Sequence, residues 1–490
     1  MIIIYIYMET LIIVSYSTIT TRAVISADAV QNGFTTKNMA DSKSLLITST
    51  DADKLITWAD KYDKKIEFSV IYSMASGKSM ALINHSKIKH IPVPDDMKDD
   101  VVDNLSDTSG QNVSNRKSNG QQLTPFDTYS DTVISYYPNQ VSKIYGFGAP
   151  VGAVTIGIIG LSGTIDPDDI KSFWLNNCKI PSTSHPTIVI VNTDGTTLDA
   201  TVIDYEVENS LDVEIAGACC ASASTTIVLY HAQNTFQGFY SAFQYAINDT
   251  IYKPSIISCS WGIPEPYLIA LGLQGTQTMV AFDRLFQTAV NKNISICCAT
   301  GDNAASDGIG DGIPHVDFPA SSPNVVACGG TSLYCPTGTY SNNITSETVW
   351  SFDPFSNNGT GGGVSEVFSK PTYQSKTVST TITKRAIPDI SANADPTTGF
   401  RIKFKGQYLI AGGTSCAAPL ISAYIATTGI KKFMNPVFYK VPISNYNKIM
   451  SGSNGVYKAS TNGTYSMCVG LGTIKGAVLT PALITNARTV

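Results

Sequence analysis

From Pro138 onward the chain carries a series of continuous apolar runs of strand length. They read GAVTIGIIGL, PTIVIVN, TTIVLYHA, PSIISCSWG and ISICCATGD. A strand with water on one face alternates polar and apolar residues. A strand apolar at every position is covered on both faces, which is the property of a parallel sheet between layers of helices. Helical segments such as GFYSAFQYAIND and MVAFDRLFQTAVNKN separate the runs. The spacing therefore predicts an α/β fold with a doubly wound, mainly parallel sheet.

With 490 residues, 43% of them hydrophobic and 14% charged, the chain has material for a large core and is no disordered polymer. A net charge of −5 gives no general electrostatic reason to bind nucleic acid or acidic membranes. All ten cysteines follow residue 177, and Cys219-Cys220, Cys259 and Cys297-Cys298 fall in apolar runs. That pattern predicts free core thiols rather than a disulfide network. No C-x-x-C pair or H-E-x-x-H occurs, so no zinc site is expected.

Residues 1–30 are apolar and aromatic and read as a leader, although Glu9 interrupts the run and an apolar strand is the competing reading. After them no stretch reaches the ~18 apolar residues of a spanning helix. Residues 31–103 alternate short β-rich runs with one helical pattern, DADKLITWADKYDKK, and read as a small α+β unit. Residues 104–124 are Ser-, Asn-, Gln- and Gly-rich, a solvated linker and the strongest boundary in the chain.

Three places carry candidate chemistry. In Gly412-Gly413-Thr414-Ser415-Cys416-Ala417-Ala418-Pro419 a Gly-Gly turn precedes a serine at the head of an apolar helix. Pro419 is read as lying in the first turn, where a missing N–H costs nothing. The helix N-terminus favours negative charge developing near Ser415; the bland alternative is a helix start that only packs. A serine nucleophile needs a base. His231 ends a strand and His185 lies in a Ser/Pro loop, and neither has a suitable context. Glu208 and Asp212 are spaced i, i+4 at what reads as a helix start, so they share one face. Two carboxyls that close share a proton, because one pKa rises. Two unrelated first-turn surface acids are the alternative. Asp302 follows an apolar strand and stands at its C-terminal end, where ligand groups of open α/β sheets gather.

These motifs, in this order, resemble those of the sedolisins, or serine-carboxyl peptidases, and the pattern is closest to kumamolisin-type pro-enzymes. Further segments carry the likeness: KPSIISCSWGIPE, HVDFPASSPNVVACGGTSL, GGGVSEVF and PDISANADPTTGF. The likeness runs from about Pro138 to Gly472. It implies a subtilisin-like peptidase domain over 125–490, a propeptide over 31–103 and processing within 104–124. It implies Ser415 as nucleophile, Glu208 as base, Asp212 as the group orienting Glu208, and Asp302 in the oxyanion site. Trp261 and Asp317 match positions near the substrate cleft. A further Glu extends the acidic network in some members; here Pro167 stands at the position read as equivalent, with Asp168 as a partial substitute.

The family's calcium site is degenerate. Lys448 precedes Ile449 where an Asp is expected, and Thr464 and Ser466 replace a Gly and a second Asp. Calcium prefers carboxylate oxygens, so no metal or other cofactor is expected, and the Lys448 ammonium is read as taking the cation's place. The resemblance implies a monomeric, acid-acting serine-type endopeptidase or tripeptidyl-peptidase. Its partners would be peptide or protein substrates and its own propeptide as intramolecular inhibitor. Asp302 donates only when protonated, which needs acid. The apolar N-terminus suggests export, to the outside or to an acidic, lysosome-like compartment, whereas the free thiols suit an intracellular one. The rivals are an inactive homologue used for binding and a Ser-His-Asp hydrolase; the lack of a suitable histidine counts against the latter.

Overall fold

The computed structural model describes residues 134–195, 203–335, 344–351 and 358–489, with the backbone of short strands between residues 2 and 89. Its centre is an eight-stranded sheet. In spatial order it runs Ser346–Val349, Val326–Tyr334, Ser295–Ala299, Ile256–Cys259, Val154–Leu161, Thr225–Ala232 and Thr187–Asn192. Ile390–Asn393 also pairs with Val326–Tyr334, in parallel. Only the pairing of Ser346–Val349 is antiparallel; every other described pairing in this sheet is parallel. The doubly wound, mainly parallel sheet expected from the apolar runs is observed, in the subtilisin-like form that the resemblance implies.

Each face of the sheet carries a helical layer. On one side lie Ile203–Cys219 and Thr414–Thr428, with Pro138–Ile144 beside them. On the other lie Phe236–Asn248 and Leu273–Asn291, the two helices foreseen in the sequence. There Phe239, Phe243, Phe282 and Phe286 interlock, Phe243 and Phe286 edge to face at 4.9 Å. Such pairs add about 0.5–1.5 kcal/mol each beyond area burial.

The first layer differs from an ordinary amphipathic one. Every residue of Thr414–Thr428 is buried, and so are positions 206–219 of the other helix. That helix starts at Ile203, so Glu208 and Asp212 lie well inside it rather than on a first turn. It sits close on the sheet because Val154–Leu161 has Gly160 beneath it. A Cβ there would stand 2.9 Å from the Asn209 side-chain oxygen.

Two corrections concern local readings. Asp166 caps the helix Pro167–Asn176 by accepting from the N–H groups of Asp168 and Asp169. Asp168 pairs with Lys171 at a surface where its side chain is 94% exposed, so it adds nothing to a buried acidic network. Pro419 is inside the helix Thr414–Thr428, not in its first turn. Its missing N–H deprives the carbonyl of Ser415, four residues earlier, of its usual helical donor.

In the N-terminal part, Ile2–Ile6, Glu9–Ser15, Thr35–Asn38, Ser44–Ser49 and Glu67–Val70 form a five-stranded sheet. The residues read as a leader thus supply two of its strands. The helix expected over residues 51–65 and the linker 104–124 lie outside the described residues.

A buried ion pair joins the sheet to the C-terminal segment. Arg385 and Asp389 are fully buried and bonded through both guanidinium branches, at 2.6 and 2.5 Å. Asp389 also accepts from the Ala327 N–H at 2.8 Å and the Tyr439 hydroxyl at 2.8 Å. Breaking such a pair leaves a charge uncompensated. Arg385→Leu should therefore lose about 3–5 kcal/mol of stability, while the Arg385→Leu/Asp389→Leu double variant should recover part of it. Thermal unfolding of the three proteins checks this; a double variant less stable than the single one contradicts it.

Candidate active site

Ser415 is the second residue of its helix, held there by a turn only glycine takes easily: Gly413 has φ +105° and donates its N–H to Ala394 O at 2.6 Å. Gly413 offers no side-chain cap to the helix. A distant residue fills that role. Asp302 Oδ1 accepts both the Thr414 N–H and the Thr414 hydroxyl, each at 2.8 Å. The Thr414 hydroxyl oxygen in turn accepts from the Gly301 N–H at 3.2 Å. Asp302 follows the strand Ser295–Ala299, as the sequence suggested, and is 1% exposed. Its Oδ1 is thereby engaged at the N-terminus of the serine helix.

Glu208 and Asp212 are both 0% exposed. Burial, then the charge of Glu208, pushes the Asp212 carboxyl well above its usual range, so the pair retains a proton where free carboxylates have lost theirs. The Cys416 thiol, next in sequence to Ser415, is raised by burial and then by Glu208, Asp302 and Asp212. All three acids therefore converge on the head of the serine helix. Among the described residues the Ser415 hydroxyl has no hydrogen-bond partner. Such contacts often close only when substrate binds.

Ser260 and Thr414 are the residues that sequence reasoning passed over. The Ser260 hydroxyl donates to Asp212 Oδ1 at 2.8 Å and lies 3.3 Å from Ser415 O. No local pattern reveals it, because its partners are 48 and 155 residues away.

Among the described residues no histidine bonds Ser415. His185 bonds Ile180 O, and His315 lies between Asp311 and Glu366. His231 is 1% exposed, and burial pushes its imidazole below the usual range. His85 and His90 lie outside the described residues.

Trp261 is buried and meets Tyr205 edge to face at 5.5 Å. Asp317 is also buried; burial, then Asp302 and Glu265, hold its carboxyl well above the usual range. It lies in the interior near Asp302 rather than presenting an exposed charge. The N-terminal segment contributes here. Ile83–Asn84 pairs antiparallel with Trp261–Gly262, and Lys87–Lys89 pairs antiparallel with Ile410–Gly412.

The four positions of the degenerate metal site offer little to a cation. Lys448 is exposed, its stem lying over Gly463, and Ile449 is buried. Thr464 bonds Ser460, while Ser466 bonds Cys468 and the backbone of Gly470. Among the described residues no group of three or more His, Cys, Asp or Glu side chains is placed to hold a metal. This donor set does not fit calcium.

A mainly parallel α/β sheet with a serine at a helix head, two buried acids on the neighbouring helix and a third at a strand end defines a subtilisin-like fold with three acids gathered around the serine helix. The chain belongs to the sedolisin family. Residues 221–434 match the model of the Subtilase family. Kumamolisin from Bacillus sp. strain MN-32 is 35% identical over 72% of this chain and 64% of its own length. Sedolisin from Pseudomonas sp. strain 101 is 32% identical over 68% of this chain and 59% of its own. The chain thus spans somewhat under two thirds of these relatives. A structure of Pseudomonas sedolisin, a serine-carboxyl proteinase complexed with two molecules of pseudo-iodotyrostatin, matches with a TM-score of 0.63 at 27% identity. The match covers 73% of this chain and all of that one.

The buried acids fix the direction of the pH dependence. Asp212, Glu214, Glu265, Asp283, Asp317 and Glu347 are all raised, chiefly by burial. A raised acid contributes stability that is complete below its unfolded value, about pH 4, and is lost as pH climbs through its folded value. Glu206, lowered beside Lys405, and His231 act oppositely but are outnumbered among the described residues. The unfolding temperature of a Ser415→Ala protein should therefore fall between about pH 4 and pH 8, and Glu214→Gln should flatten the slope. A steady rise over that interval contradicts this.

Proposed function

We propose that the chain is an acid-acting serine-carboxyl peptidase made as a pro-enzyme. The observation that carries this reading is the convergence of Glu208, Asp212 and Asp302 on the helix headed by Ser415. Ser415 Oγ attacks the peptide carbonyl while its proton passes to Glu208. Asp212 orients Glu208 and shares the pair's proton. The developing oxyanion takes a hydrogen bond from the protonated second oxygen of Asp302, whose first oxygen stays on the Thr414 N–H. Collapse expels the amine, which takes the proton held by Glu208 and leaves an acyl-enzyme on Ser415. Water then adds by the same route in reverse, and the carboxylic acid departs. Asp302 must be protonated and the Glu208–Asp212 pair must accept a proton, so activity belongs to acid pH.

The acyl donor is a peptide or protein, cleaved internally as by a serine-type endopeptidase. Residues 31–103 act as propeptide and intramolecular inhibitor. The pairing of Ile83–Asn84 and Lys87–Lys89 with strand edges beside Trp261 and Gly412 supports this, since a substrate strand would use such edges. The location is secreted or an acidic, lysosome-like compartment. The ten cysteines do not oppose export, because all are buried in the fold, away from external oxidants and thiols.

The test is acidification of the purified chain beside Ser415→Ala, with mass analysis over time. The wild type should lose the segment up to residues 104–124 and then cut added peptides internally, while the variant does neither. Release of tripeptides from free N-termini would replace endopeptidase by tripeptidyl-peptidase action. An inert wild type at every acid pH would favour a binding homologue. We also assign no structural calcium: chelation should leave the unfolding temperature unchanged, and a fall reversed by added Ca²⁺ would overturn that.

A further inference from the structure

The geometry points to Ser260 as a positioning residue that ties the acid pair to the backbone of the nucleophile. Within Thr414–Thr428 the carbonyl of Ser415 ought to receive the N–H of residue 419, and a proline has none. An unpaired carbonyl in so buried a helix costs about as much as a lost hydrogen bond. The neighbouring donor is the Ser260 hydroxyl, 3.3 Å away on the segment following the strand Ile256–Cys259. The same oxygen lies 2.8 Å from Asp212 Oδ1, and both residues are 0% exposed.

A hydroxyl has one proton and two acceptors here. With Asp212 ionised, the charge-assisted bond at 2.8 Å takes the proton. With Asp212 protonated, the carboxyl can donate to Ser260 Oγ, and the hydroxyl proton turns to the Ser415 carbonyl. Each charge state of the pair is thereby matched by a different bond to the turn that carries the nucleophile. No bond to carbon changes, and the proton count is that of the pair alone.

The groups facing Asp212 are few. Glu208 shares its helix, Cys259 lies on the neighbouring strand, and Cys416 lies on the serine helix. Among the described residues, the Ser260 bond is the contact that favours the ionised form of Asp212. Removing it raises the pH at which the pair loses its proton.

This assignment rests on the peptidase reading for its kinetic consequence, so the experiment has two readouts. The first is kcat/KM against pH for acid-matured wild type, Ser260→Ala and Ser260→Thr. Ser260→Ala should lose roughly tenfold to hundredfold, as for a misplaced catalytic group, with its acid limb moved to higher pH. Ser260→Thr, which keeps a hydroxyl, should restore most of both. The second is an infrared titration of buried carboxyls in the Ser415→Ala background, which needs no turnover. There too Ser260→Ala should move the protonation midpoint upward.

Adding Pro419→Ala to Ser260→Ala returns an N–H to the Ser415 carbonyl without restoring the bond to Asp212. It should recover thermal stability and leave the limb displaced. An unmoved limb and midpoint in Ser260→Ala would overturn the assignment. So would a limb returned to wild type by Pro419→Ala, which would place the effect in the backbone alone. If the wild type cleaves no peptide yet the infrared midpoint still moves with Ser260→Ala, the peptidase reading falls and the Ser260 assignment stands.

Discussion

Charge has nowhere to go in the layer formed by Ile203–Cys219 and Thr414–Thr428. Both helices are packed against one face of the sheet with almost no solvent contact, yet one carries Glu208, Asp212 and Glu214. Carboxylates in so dry a layer are stable only if protonated, paired or bonded. Hence protons are retained at Asp212, and the ionised states are supported by specific donors: the Ser260 hydroxyl for Asp212 and the Lys403 N–H for Glu214. The same dryness gives an oxyanion donor its strength, since a fixed dipole or acidic hydrogen works against little screening. Packing and chemistry thus draw on one property of the fold.

Much of this was legible in the chain. Uninterrupted apolar runs such as TTIVLYHA have no stable place except a sheet covered on both faces, and the structure puts this one between two parallel neighbours. Ser415 and Asp302 were legible because glycines and strand ends mark them locally. The i, i+4 spacing placed Glu208 and Asp212 on one face. Spacing did not reveal that the face is interior, because the helix is buried on all sides and lacks the polar stripe that orients an amphipathic one.

What escaped was whatever depends on contacts far apart in sequence. Ser260 looks like any small residue in a strand-like segment until Asp212 and Ser415 arrive beside it. Asp317 was read as a cleft residue, but Asp302 and Glu265 flank it in the interior. Asp168 stands beside the position where the resemblance places a further acid, but a helix start leaves it exposed. Pro419 was read as harmless when its position creates the orphaned carbonyl that Ser260 meets. In each case the local residue type was right and its partner was supplied by topology.

The central claim is that Ser415 is a nucleophile served by carboxyls rather than by a histidine. Acid-quenched mass spectrometry after mixing the matured protein with an activated peptide ester near pH 4 reads it directly, since the acyl group stays on the residue that was attacked. The account predicts one acyl adduct, on the peptide containing Ser415, whose formation survives His231→Gln and is abolished by Glu208→Gln. An adduct on another residue, or one that depends on His231 and not on Glu208, would contradict it.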